Sequence, residues 1–493
     1  MVAVSTRAAS AVRMGAASRR AATPAPGEAQ LRLLLASGGD ERLALDPVTR
    51  RNRYGAPAVP APDELWFSSS TACAVSPRGW MAAGETLARL ITPDADARLP
   101  IDAWLDEIRA RILAIYGAPG AEVVLSASGS EAEFLALLIA LTLAKGPVVN
   151  IVVAPAETGS GVPAAAAGRH FLARASLGGP VGKGERLAGW ESAAINEETL
   201  EIRHPDGRLR AAVEVDSEAA ERVDRVVAGG AFALLHVLDA SKTGRPGVSR
   251  EAAAAILARH PGRVLVVVDA CQLRCPAEQL RADLAGGLAV MLTGSKFAGG
   301  PSFCGALLLP AALVDELRTA RPPASLDDYS ARLDWPATLR PAFAAGLRHP
   351  ANLGLGLRWT AALAEIEAYQ AIAPELRDGL VGAFDRAVKA RVDASPGLIV
   401  LDADVATAAP GLTPILDADR ADPRVVYEAL QRPSTPGMPA CHLGQPVAVG
   451  QRSALRVCAS MPMITGAAAT GFAPLEADLD RLFDAWAALR ARG

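Results

Sequence analysis

The feature that most constrains the fold is a repeated alternation. Short apolar runs rich in β-branched residues, at 123–125, 148–153, 231–238, 264–268 and 306–309, are separated by stretches with helical patterning. Strands that read as continuous apolar runs are buried on both faces, as in a parallel sheet covered by helices. The pattern predicts an α/β fold whose large domain is built on a mostly parallel sheet. Asp206-Gly207, between short alternating runs over 201–214, predicts a hairpin inserted on this domain. Beyond Arg321-Pro322-Pro323 the pattern changes to a helical stretch from Asn352 to about Ile372, strand candidates at 398–401 and 455–458, and an amphipathic helix over 474–491. These predict a smaller C-terminal α+β domain.

The chain divides on this reading into an N-terminal tail and flexible segment (1–55), a large domain (56–320), and a connection with the small domain (321–493). The first 26 residues carry Arg7, Arg13, Arg19 and Arg20, no acid and many small residues. This composition fits a disordered tail, with a transit peptide as the alternative, and lacks the apolar core of a secretory signal. The proline-rich 56–62 reads as an extended linker, so ordered structure is expected from near Trp66. A net charge of −3 and a pI near 6.1 carry no basic excess for nucleic acid. No apolar run approaches the length of a membrane span. The six scattered cysteines fit reduced thiols in a cytoplasmic protein, and the Cys271/Cys275 pair lacks the second pair or histidine cluster of a metal site.

Three features carry chemistry. Lys296 stands in Thr293-Gly294-Ser295-Lys296-Phe297-Ala298-Gly299-Gly300-Pro301, directly behind the apolar run 288–292, in a chain where lysine is scarce and arginine is the usual cation. A desolvated lysine loses its proton and attacks an aldehyde, which arginine cannot do, so this position suggests a Schiff base with pyridoxal phosphate; alone it also fits a lysine bordering a glycine-rich turn. Ser128-Gly129-Ser130 follows a strand candidate and opens a leucine-rich helix, where free amides and hydroxyls could hold a phosphate; alone it equally fits a serine-capped helix start. Asp269 ends the run 264–268, so its carboxylate lies at the carboxyl end of a buried strand, where α/β sheets bind ligands. There it could pair with a pyridine nitrogen, with Gln272 near the ring oxygen, or simply cap the next turn.

Taken together, these motifs resemble the fold-type I pyridoxal-phosphate enzymes, and among them the class V aminotransferase group that includes cysteine desulfurases and kynureninases. The resemblance runs from about Trp66 to the final helix. It implies that Asp269 and Gln272 address the ring, that Thr293 and Ser295 help bind phosphate ahead of the Schiff-base Lys296, and that Ser241 stands where relatives often have an asparagine beside the ring hydroxyl. Leu455-Arg456-Val457 is similar to the strand whose arginine holds the substrate carboxylate. Gly300-Pro301 matches a loop that in relatives often approaches the neighbouring subunit, which implies a homodimer. Thr158 occupies the place where relatives stack an aromatic ring, a departure that puts the usual acid/base help on that face in doubt. Cys441 lies near the position of the sulfur-accepting cysteine of some desulfurases, but the residues after His442 do not follow their pattern.

The resulting expectation is a cytoplasmic pyridoxal-phosphate enzyme acting on a small-molecule amino acid, with no nucleic-acid or membrane partner and no metal. Transamination is the default reaction. The alternatives are a desulfurase or other lyase using Cys441, and a cofactor-binding protein without turnover.

Overall fold

The computed structural model describes residues 26–405, 409–418, 423–433 and 438–491. The expected tail over the first 25 residues lies outside them. Twelve strands in two sheets frame the molecule and are numbered here in chain order: β1 (Leu65–Phe67), β2 (Glu122–Ser126), β3 (Val148–Val153), β4 (Ile195–Leu200), β5 (Phe232–Leu238), β6 (Val264–Ala270), β7 (Ala289–Thr293), β8 (Gly305–Leu309), β9 (Leu398–Val400), β10 (Leu412–Asp417), β11 (Cys441–Val449) and β12 (Arg452–Cys458).

The large sheet has the order β2-β8-β7-β6-β5-β3-β4. Only β8 runs antiparallel to its neighbours; β7, β6, β5, β3 and β4 pair in parallel. Strands β3, β5 and β7 are buried along their whole length, which is why their sequences read as unbroken apolar runs. The helix Gly129–Leu143 is buried at every residue from Ser130 to Ala140. A helix apolar all round needs cover on both sides. One side meets the sheet, and the other is covered by Leu326, Tyr329, Trp335 and Phe343, with the Phe134 and Tyr329 rings 4.7 Å apart. The chain therefore packs on the large domain past the expected boundary at 320, to about residue 347, where Leu326, Tyr329, Trp335 and Phe343 join Phe171 around this helix.

The small sheet, β1-β11-β12-β10-β9, also departs from the expected division. Strand β1 pairs in parallel with β11, Leu65 opposite Cys441, so the C-terminal sheet takes its edge from the N-terminal side of the chain. The Asp206-Gly207 hairpin is present, with a bridge between Arg203 and Leu209 and Gly207 at φ 89°.

Ordered packing begins well before Trp66. The helix Pro26–Leu35 buries Leu31 and Leu35 against the helix Leu353–Gln370. Its last carbonyls would be orphaned in an apolar setting, and Arg358 answers them. This fully buried guanidinium donates to the carbonyls of Leu35 (3.2 Å), Ser37 and Gly38 (2.9 Å), and through Nε to Phe303 (2.6 Å). Asn352 caps the start of the helix Leu353–Gln370 and donates to the Gly38 carbonyl at 2.9 Å. Short helical patterning is visible from Gly27 onward, but the packing of this segment rests on tertiary hydrogen bonds that local pattern does not show.

The approach is close at Gly354, where an added Cβ would lie 2.3 Å from the Ser37 carbonyl oxygen and 2.5 Å from that of Leu34. Gly354→Ala is expected to cost about 1–3 kcal/mol and to expose the segment before residue 55 to proteolysis. An unchanged melting temperature and digestion pattern would show that the N-terminal helix is not held there.

Candidate active site

Strands β6 and β7 run in parallel with Asp269 opposite Met291 and Ala270 opposite Leu292, so both chains leave the sheet at the same edge. Asp269 ends one exit and Lys296 sits on the turn of the other; both line a single cavity. The turn carrying Lys296 is fixed by Gly294 N–H to the Cys304 carbonyl (2.8 Å), Gly299 N–H to Lys296 (2.9 Å) and Gly300 N–H to Gly294 (3.0 Å). Gly300 is required there, since a Cβ would meet Ala362 Cβ and the Gly294 carbonyl oxygen, each at 2.6 Å.

The helix start Ser128-Gly129-Ser130 forms another wall of this cavity. Ser128 caps the helix, its hydroxyl accepting from Glu131 N–H at 3.3 Å, and the first amides of the helix have no intrahelical acceptor. Gly129 abuts Cys271, whose sulfur would lie 2.8 Å from an added Cβ. Thr158, Gln272, Thr293 and Ser295 line the same space. Gln272 Nε2 donates to the Ser70 carbonyl at 3.3 Å, and its buried Oε1 has no hydrogen-bond partner among the described residues. Asp269 Oδ1 accepts from Cys271 N–H at 3.0 Å.

Two expected site residues are not among those lining the cavity. The Ser241 hydroxyl is committed to the buried Glu157 carboxylate (2.9 Å) and accepts from the amides of Thr243 and Arg245. Glu157 is bound in addition by Arg203 and the Thr243 hydroxyl, so Ser241 belongs to a network beside the cavity. Arg456 is fully buried behind the wall formed by Thr71 and Gln445, donating to Thr71 Oγ1 at 3.2 Å and to the Gln445 carbonyl. Its Nε and Nη1 have no hydrogen-bond partner among the described residues, and burial pushes its pKa down to about 10. Cys441 is not brought to the cavity either. It is fully buried at the start of β11, its thiol 3.5 Å from the Pro439 carbonyl, and burial pushes its pKa up to about 11. A thiol in that setting is not a ready nucleophile.

The structure adds residues that sequence reasoning passed over. Arg42 and Tyr54 reach the cavity from the N-terminal segment; Arg42 forms a two-pronged pair with Asp40 and lies between the Phe171 and Phe303 rings. Ser302 and Phe303, from the loop expected to face a neighbouring subunit, line this chain's own cavity. Beneath Asp269 lies a buried polar group: Asn150 donates to Glu133 at 2.7 Å, and His236 Nε2 stands 3.1 Å from Asn150 Oδ1 and 3.3 Å from Glu133 Oε1. Burial acts to lower the His236 pKa, but Glu133, followed by Asp269, outweighs it and the value is raised. A signal was present, because Asn150 and His236 are polar residues inside strands that are otherwise apolar.

No family profile matches the chain, and no curated protein matches it. Among solved structures, it is similar to a C-DES variant with glycine covalently linked to the PLP cofactor (14% identity, 86% of this chain and 97% of that one, TM-score 0.56). It is also similar to an alanine–glyoxylate aminotransferase from Nostoc sp. (15%, 87% and 96%, TM-score 0.55) and to the cysteine desulfurase CsdA from Escherichia coli (12%, 86% and 94%, TM-score 0.54). The chain has the fold of these proteins, which is the fold its motifs led us to expect.

The buried pair beneath Asp269 has a testable signature. Because the His236 pKa is raised, the stabilisation from its charged form is complete below the ordinary value of 6.5 and is lost as pH rises through the folded-state value. Replacing Glu133 by Gln removes the main opposing charge, so burial should then bring His236 below 6.5 in a histidine-resolved NMR titration. An unchanged midpoint would show that Glu133 does not set the charge of this ring.

Proposed function

We propose that this chain is a pyridoxal-phosphate enzyme acting on an amino acid, with transamination as its reaction. The observation that carries the reading is that Lys296, Asp269 and the helix start at Ser128–Ser130 converge on one cavity from three elements far apart in sequence. The residues present fit the group. The amides of Gly129 and Ser130, which have no intrahelical acceptor, next to two serine hydroxyls suit a phosphate, a carboxylate at a strand end suits a ring nitrogen, the orphaned Gln272 Oε1 is a buried acceptor in want of a donor, and a lysine lines the same cavity.

When bound, the cofactor supplies an aldehyde that links to amines and a ring that draws electrons from the substrate Cα. The rest is done by the chain. Ser128, Gly129, Ser130, Thr293 and Ser295 anchor the phosphate end. Asp269 would keep a pyridine nitrogen protonated, with the Glu133–His236 pair close enough to be coupled to it electrostatically. Gln272 and Thr158 bound the ring. Lys296 would hold the cofactor covalently and, once free of it, would take the proton from the substrate Cα as base and deliver it as acid to the cofactor's former aldehyde carbon, the proton shift that amino transfer requires. Arg456 stands behind Thr71 and Gln445 rather than in the cavity, so it would act on the substrate carboxylate through those two residues, which it holds in place. The working unit on this reading is a homodimer in the cytoplasm.

The burial of Cys441 outside the cavity favours transamination over a desulfurase reaction through that thiol. Protein reconstituted with the cofactor should absorb in the visible, and a substrate amino acid should convert that band to the shorter-wavelength amine form of the cofactor. Cys441→Ser should leave this conversion intact; its abolition with normal cofactor and substrate binding would make Cys441 the nucleophile and overturn the reading. Asp269→Asn should keep the fold and slow the conversion by at least about 10²-fold, the scale of losing one electrostatic stabiliser. Unchanged turnover would remove Asp269 from the chemistry.

A further inference from the structure

Asp269 is flanked in the sheet by two strand exits, and each carries a lysine. It stands opposite Met291 of β7 on one side and Leu238 of β5 on the other, with all three strands parallel. The turn after β7 bears Lys296 and the loop after β5 bears Lys242, and both side chains line the cavity. Lys242 thus enters from the other side of Asp269, the side that Thr158 reaches from the end of β3. Its own N–H donates at 2.8 Å to the carbonyl of Glu157, the residue before Thr158, which ties the two loops together. A threonine hydroxyl does not titrate near neutrality. The carboxylate of Glu157 is already engaged by Arg203, Ser241 and Thr243. Lys242 is left as the group on that side able to take up a proton.

Its surroundings favour that role. Lys242 is half-buried, and its side-chain nitrogen makes no hydrogen bond or ion pair among the described residues. The charges that face it are mostly cations: Arg456 from β12, Lys296 from the turn after β7 and Arg42 from the N-terminal segment, against Glu157 from the loop after β3. Burial, then repulsion from Arg456 and Lys296, pushes its pKa down to about 7. A lysine among cations and away from bulk water is a neutral amine for much of the time and accepts a proton readily.

An amino acid in neutral water carries an ammonium group, which has no lone pair with which to displace Lys296. We propose that Lys242 is the base that takes a proton from the ammonium group of the incoming amino acid and so turns it into the attacking amine. The N–H bond of the substrate breaks, its electron pair stays on the substrate nitrogen, and the proton ends on Lys242 Nζ, from which water later removes it. This rests on the cofactor reading above.

The test uses protein reconstituted with pyridoxal phosphate and two small probes of similar size, ethylamine, which is a cation at pH 7, and methoxyamine, which is already neutral. Samples are quenched with borohydride at intervals, and the cofactor reduced onto the probe rather than onto Lys296 gives the rate of displacement. Wild-type protein should react with ethylamine at a rate that rises through a midpoint near pH 7 and then levels. In Lys242→Met that rate should fall at pH 7 by about 10²-fold or more, the scale of losing a general base, and climb with pH without the midpoint, while the methoxyamine rate stays as it was. Lys242→Arg, which keeps the charge and cannot release the proton, should behave like the methionine variant. Lys242→Gln serves if Lys242→Met does not fold. An unchanged ethylamine rate, equal slowing of both probes, or retention of the rate in Lys242→Arg overturns the proposal with the cofactor reading intact. Failure of all three variants to hold the cofactor also overturns it, by assigning the lysine to cofactor binding. Wild-type protein that takes up no cofactor overturns both readings.

Discussion

The parallel pairing of β6 with β7 is the constraint on which the site depends. Because Asp269 stands opposite Met291, the two strands end side by side, and the turn that follows β7 returns Lys296 to the cavity edged by Asp269. A one-residue slip would turn Asp269 to the other face of the sheet. The register is held by burial of the apolar residues of both strands on both faces, and the turn is held by hydrogen bonds from Gly294, Gly299 and Gly300 under the packing of Ala362. Core packing and site geometry are thus the same set of contacts.

Electrostatics around this cavity follow from the burial of its charged groups. Charges are buried in compensated groups: Arg42 with Asp40, Arg203 with Glu157 and Asp402, His236 with Glu133. Buried charge is tolerated only when paired or hydrogen-bonded. Against that background the groups left over stand out. Gln272 Oε1, two nitrogens of Arg456 and the Lys242 ammonium are polar groups without partners among the described residues. Gln272 and Lys242 line the cavity, where a bound molecule would supply the missing partner, whereas Arg456 stands behind Thr71 and Gln445.

Much of this was legible in the sequence. The apolar runs of the parallel strands, the serine-capped helix start, Asp269, Gln272 and Lys296 can all be read from local pattern, because each depends on its own strand end or turn. The hairpin at Asp206-Gly207 and the helices opening at Asn352 and closing the chain were legible for the same reason. What was not legible depends on distant partners. The N-terminal helix is ordered by Arg358, Arg42 reaches the cavity from a segment read as flexible, and Leu65–Phe67 joins a sheet built mostly from residues after 397. Strand β11 was hidden by its glycine and proline, Gly444 and Pro446, which coincide with a break in its register between Gly444 and Val447. Ser241 and Cys441 could be aligned to motifs, but only packing reveals that one serves Glu157 and the other is sealed in a strand.

Two lysines line the cavity, Lys296 and Lys242, so the identity of the covalent attachment point is the most direct test of the whole reading. Protein reconstituted with pyridoxal phosphate, reduced with borohydride, digested and mapped by mass spectrometry should carry the cofactor on the peptide containing Lys296, with Lys242 unmodified. Attachment at Lys242, or reduction without attachment to any of the chain's lysines, would contradict it.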